Sequence, residues 1–190
     1  MHIERHLSIG GVELEAESSE LERVRREHGN IGQLLLVLES HLALMSTGDG
    51  AELHLMRDAV GYLADYVGQF HRVREDLAVE AVAARQPRLR ACVALLDAQH
   101  DALELDGAEL HHRLGLAIRD EAVRRDGLVR LGFLYCTELR RHMSLEETTL
   151  EGAPIEAPVS GASTRDGEEH YRALFEDLTR RVGCDCTYSS

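Results

Sequence analysis

Two pairs of residues in this chain combine a histidine with a glutamate four positions later. They are His71 with Glu75, and His142 with Glu146. Residues at i and i+4 project from the same side of an α-helix, so each helix can offer one imidazole nitrogen and one carboxylate to a common centre. Imidazole suits zinc, copper and iron, whereas carboxylates that bridge among several imidazoles suit a pair of iron or manganese ions. The spacing therefore predicts a site for two metal ions between helices.

Two more histidines interrupt apolar stripes that have a helical period. Aliphatic residues flank His28 at the spacing of one helix face, and the same holds for His100. A helix that buries such a stripe also buries its polar member. The chain therefore has four candidate helices, each with one histidine on its inner face.

Four long helical segments must position these histidines. Ser19 and Glu22 have the spacing of a capping box and predict the start of the first segment. Pro87 opens the third, because proline is tolerated in the first turn of a helix. Gly61 and Gly68 could bend the second. The predicted segments cover residues 19–47, 51–84, 87–118 and 127–150.

Spacing along the chain predicts that the histidines lie at one level of an up-down-up-down four-helix bundle, in an all-α fold. Antiparallel neighbours meet when both stand equally far from the turn that joins them. The midpoint between each two successive histidines falls inside one of the three predicted connections. These histidines are His28, His71, His100 and His142.

The alternative interpretation is four separate core histidines, each hydrogen-bonded to a neighbour. Four imidazoles and two carboxylates in an apolar core would cost about 1 to 3 kcal/mol for each group left unpaired. A metal centre removes that cost. Two six-coordinate ions held by these groups and a bridging oxygen keep about two positions open, which favours binding or activation of a small ligand.

The fragments around the candidate ligands follow one another in a specific order. They are Glu27-His28-Gly29-Asn30-Ile31, Phe70-His71-Arg72-Val73-Arg74-Glu75, Gln99-His100 and Arg141-His142-Met143-Ser144-Leu145-Glu146-Glu147. In this order they resemble the hemerythrin-like (HHE) cation-binding family over about residues 19–150. The resemblance implies a four-helix bundle with a non-haem di-iron centre. The ligands it implies are His28, His71, Glu75, His100, His142 and Glu146.

The chain departs from the oxygen-carrying hemerythrins at two positions. Those proteins use two histidines four apart in the third helix, whereas Glu104 follows His100 here. Their last pair ends in an aspartate five residues after the histidine, whereas Glu146 follows at four. These departures favour a bacterial-type redox or sensing role over reversible oxygen carriage. Glu104 is either an additional ligand or a solvated side chain.

The resemblance also implies a cofactor and a set of activities. The cofactor is two non-haem iron ions with a bridging oxygen species, for which manganese or zinc can substitute. The activities are binding, sensing or reduction of dioxygen, peroxide or nitric oxide, and enzymatic turnover is left open. An iron- or oxygen-responsive regulatory or interaction module is the alternative, and a metal-free structural bundle is a third.

Tyr135, on the face of His142, either donates a hydrogen bond to a bound ligand or only packs.

The length of 190 residues fits one domain. We predict a lead-in over residues 1–18, the bundle over 19–150, and a C-terminal strap, short helix and tail over 151–190. The net charge of -13 disfavours nucleic acid and anionic membranes as partners. The absence of a long apolar run or signal-peptide core predicts a cytoplasmic protein, in which Cys184 and Cys186 stay reduced. A protein partner cannot be read from the sequence.

Overall fold

The protein is described by a computed structural model over residues 10–66, 68, 71–151 and 165–181. Within these residues the regular structure is entirely helical, which confirms the predicted all-α class. The helices are α1 (Gly10–Thr47), α2 (Leu53–Tyr66), α3 (Arg72–Arg85), α4 (Arg90–Ile118), α5 (Arg125–Glu151) and α6 (Arg165–Arg181), and a short 3₁₀ helix covers Pro87–Leu89.

The first helix begins earlier than predicted. It starts at Gly10 and passes through Ser19, so Ser19 is not its N-cap and part of the predicted lead-in is helical. Glutamate, alanine and leucine dominate residues 12–17, and these strong helix formers extend the helix past the local capping signal. Residues 1–9 of the lead-in lie outside the described part of the chain.

The predicted second helix is interrupted, and the interruption carries a candidate ligand. α2 ends at Tyr66 and α3 begins at Arg72, while Gly68 and His71 are π-helical. Gly61 stays inside α2 and does not break it. A glycine costs about 1 kcal/mol relative to alanine inside a helix, which makes Gly68 a weak point of the helical path. Wide π turns reorient the side chains that follow them, and such turns are frequent at functional sites.

The connections between the long helices match the predicted breaks. Gly48 ends α1 with a φ of 86°, a left-handed conformation that glycine adopts without strain. Pro87 opens the 3₁₀ turn that leads into α4. α4 ends at Ile118 and the charged connection to α5 contains Asp120 at a φ of 57°.

The helices pack side by side. α1 contacts α2 and α5, while α4 contacts α2, α3 and α5. α1 and α5 approach each other closely at Gly132, where an added Cβ would stand 2.5 Å from Leu42 Cδ2. Two apolar clusters form the core: a large one that includes Ile31, Leu63 and Leu110, and a small one around Val24, Val82 and Leu150. On α1 and α4 the candidate histidine lies between these clusters in sequence.

The predicted short C-terminal helix is α6, which packs on α2 and α1. Its inward side chains are Tyr171, Phe175 and Leu178, all buried. Tyr171 lies 5.7 Å from Tyr62, measured between ring centroids. The predicted strap and the cysteine tail lie outside the described residues. No described helix combines the length and apolar character needed to cross a lipid bilayer.

Candidate metal centre

The structure brings all six predicted ligands into one buried layer. α1 provides one histidine, the turn before α3 and its first residues provide a histidine and a glutamate, α4 provides one histidine, and α5 provides a histidine and a glutamate. Each is at most 6% exposed. They are His28, His71, Glu75, His100, His142 and Glu146.

The histidines of α1 and of the π-helical turn form one half of the layer. We call it the first half. The Nε2 atoms of His28 and His71 lie 3.1 Å apart. His28 Nε2 also lies 3.3 Å from Glu75 Oε1 and 3.3 Å from Glu146 Oε2. His71 Nε2 contacts the same Glu75 oxygen. Two imidazoles and two carboxylates therefore converge on one point.

The second half of the layer is formed by the histidines of α4 and α5. The ring centroids of His100 and His142 lie 4.3 Å apart. His100 Nε2 stands 3.5 Å from Glu75 Oε2, and His142 Nε2 stands 3.9 Å from Glu146 Oε2. Glu75 thus turns one oxygen toward each half, as a bridging carboxylate does.

The ligand atoms group into two adjacent positions for an ion. His28, His71, Glu75 and Glu146 each offer one atom within 4.8 Å of the others. Glu75 and the two histidines of the second half form another such group. Glu75 belongs to both, so two neighbouring ions would share its carboxylate.

Buried polar atoms in this layer lack hydrogen-bond partners, which tests whether the residues fit a metal. A buried group without a partner costs about 1 to 3 kcal/mol. A divalent ion would bind such nitrogens and oxygens directly, so the donor set fits one. The unpartnered atoms are Glu75 Oε2, both ring nitrogens of His100, His142 Nε2 and both carboxyl oxygens of Glu146.

Residues outside the layer make hydrogen bonds to three of the histidine rings at Nδ1, the nitrogen on the far side of the ring from the centre. Glu27 Oε2 lies 2.7 Å from His71 Nδ1, and Glu147 Oε1 lies 2.7 Å from His28 Nδ1. An acceptor at Nδ1 keeps the proton there and leaves the Nε2 lone pair for a metal. These hydrogen bonds fix the ring orientation in the first half.

The second half has weaker support behind its rings. Gln99 Oε1 lies 3.2 Å from His142 Nδ1, and Asp76 Oδ1 stands 3.8 Å from His100 Nδ1, beyond hydrogen-bond distance. No role was predicted from the sequence for Glu27, Glu147 or Gln99. Glu27 and Gln99 directly precede a site histidine, yet each bonds the histidine of a neighbouring helix.

Electrostatics favour a proton in the first half when no metal is bound. Burial lowers the pKa of His71, but the charge of Glu75 and a hydrogen bond to Glu27 outweigh burial and raise it to about 10. Burial also lowers the pKa of His28, but the carboxyl groups of Glu146 and Glu75, each 3.3 Å from its Nε2, outweigh burial and raise it to about 9. Burial raises the pKa of Glu75, but the charge of His71 holds it well below its usual range. A proton therefore occupies the place that an ion would take.

The second half responds differently to the same burial. Burial lowers the pKa of His142 to about 3, and the charge of His100 adds to the effect. His142 is therefore neutral at physiological pH. Burial, together with the charge of Glu75, raises the pKa of Glu146 to about 8. His142 therefore keeps an uncharged ring whose buried Nε2 has no hydrogen-bond partner.

A cavity of about 440 Å³ borders the second half. Its walls include His100, Leu139 and Tyr135, with Arg72 and Glu104 among its polar residues. Burial raises the pKa of Tyr135 far above its usual range, so the phenol stays protonated and its O–H remains a donor. Glu104 is exposed and its carboxylate lies 3.5 Å from an Arg72 guanidinium nitrogen. The structure therefore places Glu104 at the cavity and not among the grouped ligand atoms.

Fold and site together define an all-helical protein with a candidate metal centre. A model of the hemerythrin HHE cation-binding domain family matches residues 19–153. The match covers more than half of the chain, and the protein belongs to this family. Membership confirms the resemblance seen in the sequence and implies binding of metal cations, typically iron. The comparison with curated proteins gave no match, and the comparison with solved structures gave none either.

Proposed function

We propose that this protein is a non-haem di-iron protein that binds, senses or reduces a small oxidant such as dioxygen, peroxide or nitric oxide. The observation that carries the proposal is the position of Glu75, which belongs to both groups of ligand atoms. One ion would be held by the first half and one by the second, with Glu146 close to both histidines it faces. We keep a cytoplasmic location and a small-molecule partner as predictions.

The proposal includes an up-down-up-down four-helix bundle. In it α2 and α3 act as one interrupted member beside α1, α4 and α5. The contacts of α1 with α2 and α5, and of α4 with α2 and α5, support this arrangement. A bundle of this kind collects side chains from facing helices at one level, which a site with ligands from four segments requires.

When bound by these residues, an iron pair would supply electrons and a place for a small ligand to bind. The surrounding residues orient the metal ligands and bind the incoming small molecule. Hydrogen bonds at Nδ1 hold His28 and His71 with Nε2 inward. Leu139 and Leu103 exclude water from the cavity wall, and Tyr135 offers the ligand a phenolic donor. Because the cavity borders His100, the second half is the one that an incoming ligand reaches.

Anaerobic titration with Fe²⁺ tests the site. We expect about two ions per chain, as in other bundle centres built from carboxylates and histidines, and an oxygen-dependent ligand-to-metal absorption band on exposure to air. Glu75→Ala should abolish both. Glu104→Ala is the matched control, because it removes an exposed carboxylate of the same cavity and should change neither. Equal iron content in the two variants would show that the ligand assignment is wrong.

A responsive module without turnover is the second candidate, and the packing of α6 favours it. Tyr171 of α6 lies 5.5 Å from Tyr66, measured between ring centroids, and Tyr66 is the last residue of α2 before the turn that carries His71. Metal binding is coupled to folding, so an ion at His71 can stabilise the surface on which α6 docks. Iron-dependent protection from protease between α5 and α6, without peroxide consumption, would favour this role. Rapid peroxide consumption would favour the redox role.

A further inference from the structure

Two carboxylates lie just outside the second half, next to His100. Asp97 precedes His100 by three residues on α4, so both side chains lie on one face of that helix. Asp76 reaches the same place from α3. Each of the three offers a ligand atom within 4.8 Å of the others. Asp97 is exposed, Asp76 is half-buried and His100 is buried, so the group leads from solvent to the centre.

The unpartnered Nδ1 of His100 indicates that a ligand binds on this outer side. The exposed fraction of His100 is 6%, and neither ring nitrogen has a hydrogen-bond partner. The other three site histidines have an acceptor at Nδ1 within 3.2 Å. His100 Nδ1 instead faces Asp76 Oδ1 at 3.8 Å, a separation that a bound cation between them can fill.

We propose that Asp76, Asp97 and His100 form an outer site that captures a divalent metal ion and passes it into the centre. The proposal rests on the proposed function, because it requires an inner centre that binds metal. Two carboxylates neutralise a divalent ion, and carboxylate with imidazole accommodates Fe²⁺, Co²⁺ and Mn²⁺. The ion binds first on the Nδ1 side of His100 and then on the Nε2 side, which faces Glu75.

The chemistry of imidazole makes the outer site transient. A neutral ring has one free lone pair and one N–H, so it binds one ion at a time unless it also loses the second proton. As the ion leaves Nδ1 for Nε2, the proton on Nε2 is released to water and another is taken up at Nδ1, which leaves the ring neutral. The outer site therefore empties when the inner one fills, and the final metal content does not depend on it.

Substitution of Arg72 should change the rate of metal uptake in the opposite direction to substitution of Asp76 or Asp97. Arg72 Nε lies 3.8 Å from Asp76 Oδ2, and one of its guanidinium nitrogens lies 3.0 Å from Asp101 Oδ1. A fixed positive charge beside the acidic pair opposes the approach of a cation. Removing this charge should speed metal uptake, whereas removing a carboxylate of the outer site should slow it.

Stopped-flow uptake of Co²⁺ by the metal-free protein, followed by visible absorption, measures these rates. We expect Asp97→Asn to slow uptake about tenfold, because a local acidic site raises cation association by tenfold or more. Arg72→Gln should speed it. Glu80→Gln is the matched control: it removes an exposed carboxylate of α3 one turn beyond Asp76 and should leave the rate unchanged. All variants should reach the metal content of the unaltered protein after equilibration.

The outcomes separate the two proposals. Equal rates for Asp97→Asn and Glu80→Gln would overturn the outer site while leaving the centre intact. A lower final metal content in Asp97→Asn would also overturn it, because that result indicates a resident ion. If the unaltered protein binds no Co²⁺ or Fe²⁺ at all, the proposed function itself fails. Circular dichroism of the metal-free variants checks that each one is folded.

Discussion

The two halves of the candidate centre present the same residue types in different states. In the first half, His28 and His71 each have a carboxylate at 2.7 Å from Nδ1, and their pKa values are raised to about 9 and about 10. In the second half, His142 has only an amide partner and a pKa lowered to about 3. His100 has no hydrogen-bond partner at either nitrogen.

This difference shows how the position of a charged neighbour decides what burial does to a histidine. Where carboxylates stand against the ring, they outweigh desolvation and a proton fills the site without metal. At His142, where the nearest carboxyl oxygen stands 3.9 Å from Nε2, desolvation dominates and leaves this nitrogen neutral and unpartnered. The two histidines of the first half are therefore partnered without metal, whereas those of the second half keep unpartnered ring nitrogens, and this half borders the cavity.

The largest expected effect is at the residue that both halves share. Glu75→Ala should remove both ions, because each group of ligand atoms contains this carboxylate. His142→Ala should remove only the ion of the second half. Metal analysis after equilibrium dialysis measures both. If Glu75→Ala retains one ion, the two halves do not share a bridge.

Proton competition should distinguish the halves almost as strongly. Metal ligands must be deprotonated, and the raised pKa values of His28, His71 and Glu146 mean that protons must leave these groups. Affinity for Co²⁺ should therefore rise about 10²- to 10⁶-fold from pH 6 to pH 8, as expected for about one to three protons released. Calorimetry in buffers of different ionisation enthalpy counts these protons. His142 should contribute none.

The same pKa shifts act on the metal-free fold with a defined sign. A group whose pKa is raised on folding stabilises the folded state fully below its unfolded pKa of about 6.5 and loses that stabilisation as pH rises through its folded value. The stabilisation from His28 and His71 is thus lost toward pH 9 to 10. The metal-free protein should therefore weaken in the range where metal binding is strongest.

Replacing a histidine by leucine should have opposite consequences in the two halves. In the metal-free protein, His71→Leu removes the imidazole that the buried Glu27 and Glu75 carboxylates both contact, and it should lower the free energy of unfolding by about 2 to 3 kcal/mol. His142→Leu removes the unpartnered Nε2 together with one long hydrogen bond from Nδ1 to Gln99, and it should change the free energy of unfolding by less than about 1 kcal/mol. Urea unfolding with the metal removed compares them. Equal losses would contradict the asymmetry.

The residues behind the rings should show a smaller contrast. Glu27→Ala should weaken metal binding about 10- to 100-fold, the usual consequence of losing a carboxylate behind a ligating histidine. Gln99→Ala should cost less than about tenfold, because its hydrogen bond to His142 is longer and uncharged. Competition with a chromophoric chelator resolves both values. A larger effect at Gln99 would reverse the assignment of the better-supported half.

The smallest effect is expected at the cavity wall. Tyr135→Phe removes one hydroxyl and leaves the ring in place, so metal content should stay the same. If the phenol donates to a bound ligand, azide affinity of the iron-loaded protein should fall about 5- to 10-fold, the value of one hydrogen bond. Leu103→Ala is the control, because it enlarges the same cavity without removing a hydrogen-bond donor. Unchanged azide affinity in Tyr135→Phe would assign the tyrosine to packing.

Much of the fold follows from local patterns in the sequence. Helical periodicity, the glycines at 48 and 50, and Pro87 are properties of neighbouring residues, and they predicted the connections that the structure contains. The errors arose where two local signals competed. α1 passes through the capping box at Ser19, because the strong helix formers before it extend the helix. The regular apolar stripe through residues 51–84 predicted one continuous helix and gave no indication of the π-helical turn at His71.

The spacing of the four histidines was enough to predict that they meet, because equal distances from three turns place them at one level. What each histidine faces depends on the tertiary structure. Glu27 bonds His71 and not its neighbour His28, Glu147 bonds His28, and Asp76 stands behind His100. These pairings depend on the rotation of each helix about its axis and on the neighbour it packs against, and spacing along one chain segment carries no information on either. The asymmetry between the two halves is therefore a property of the packed helices.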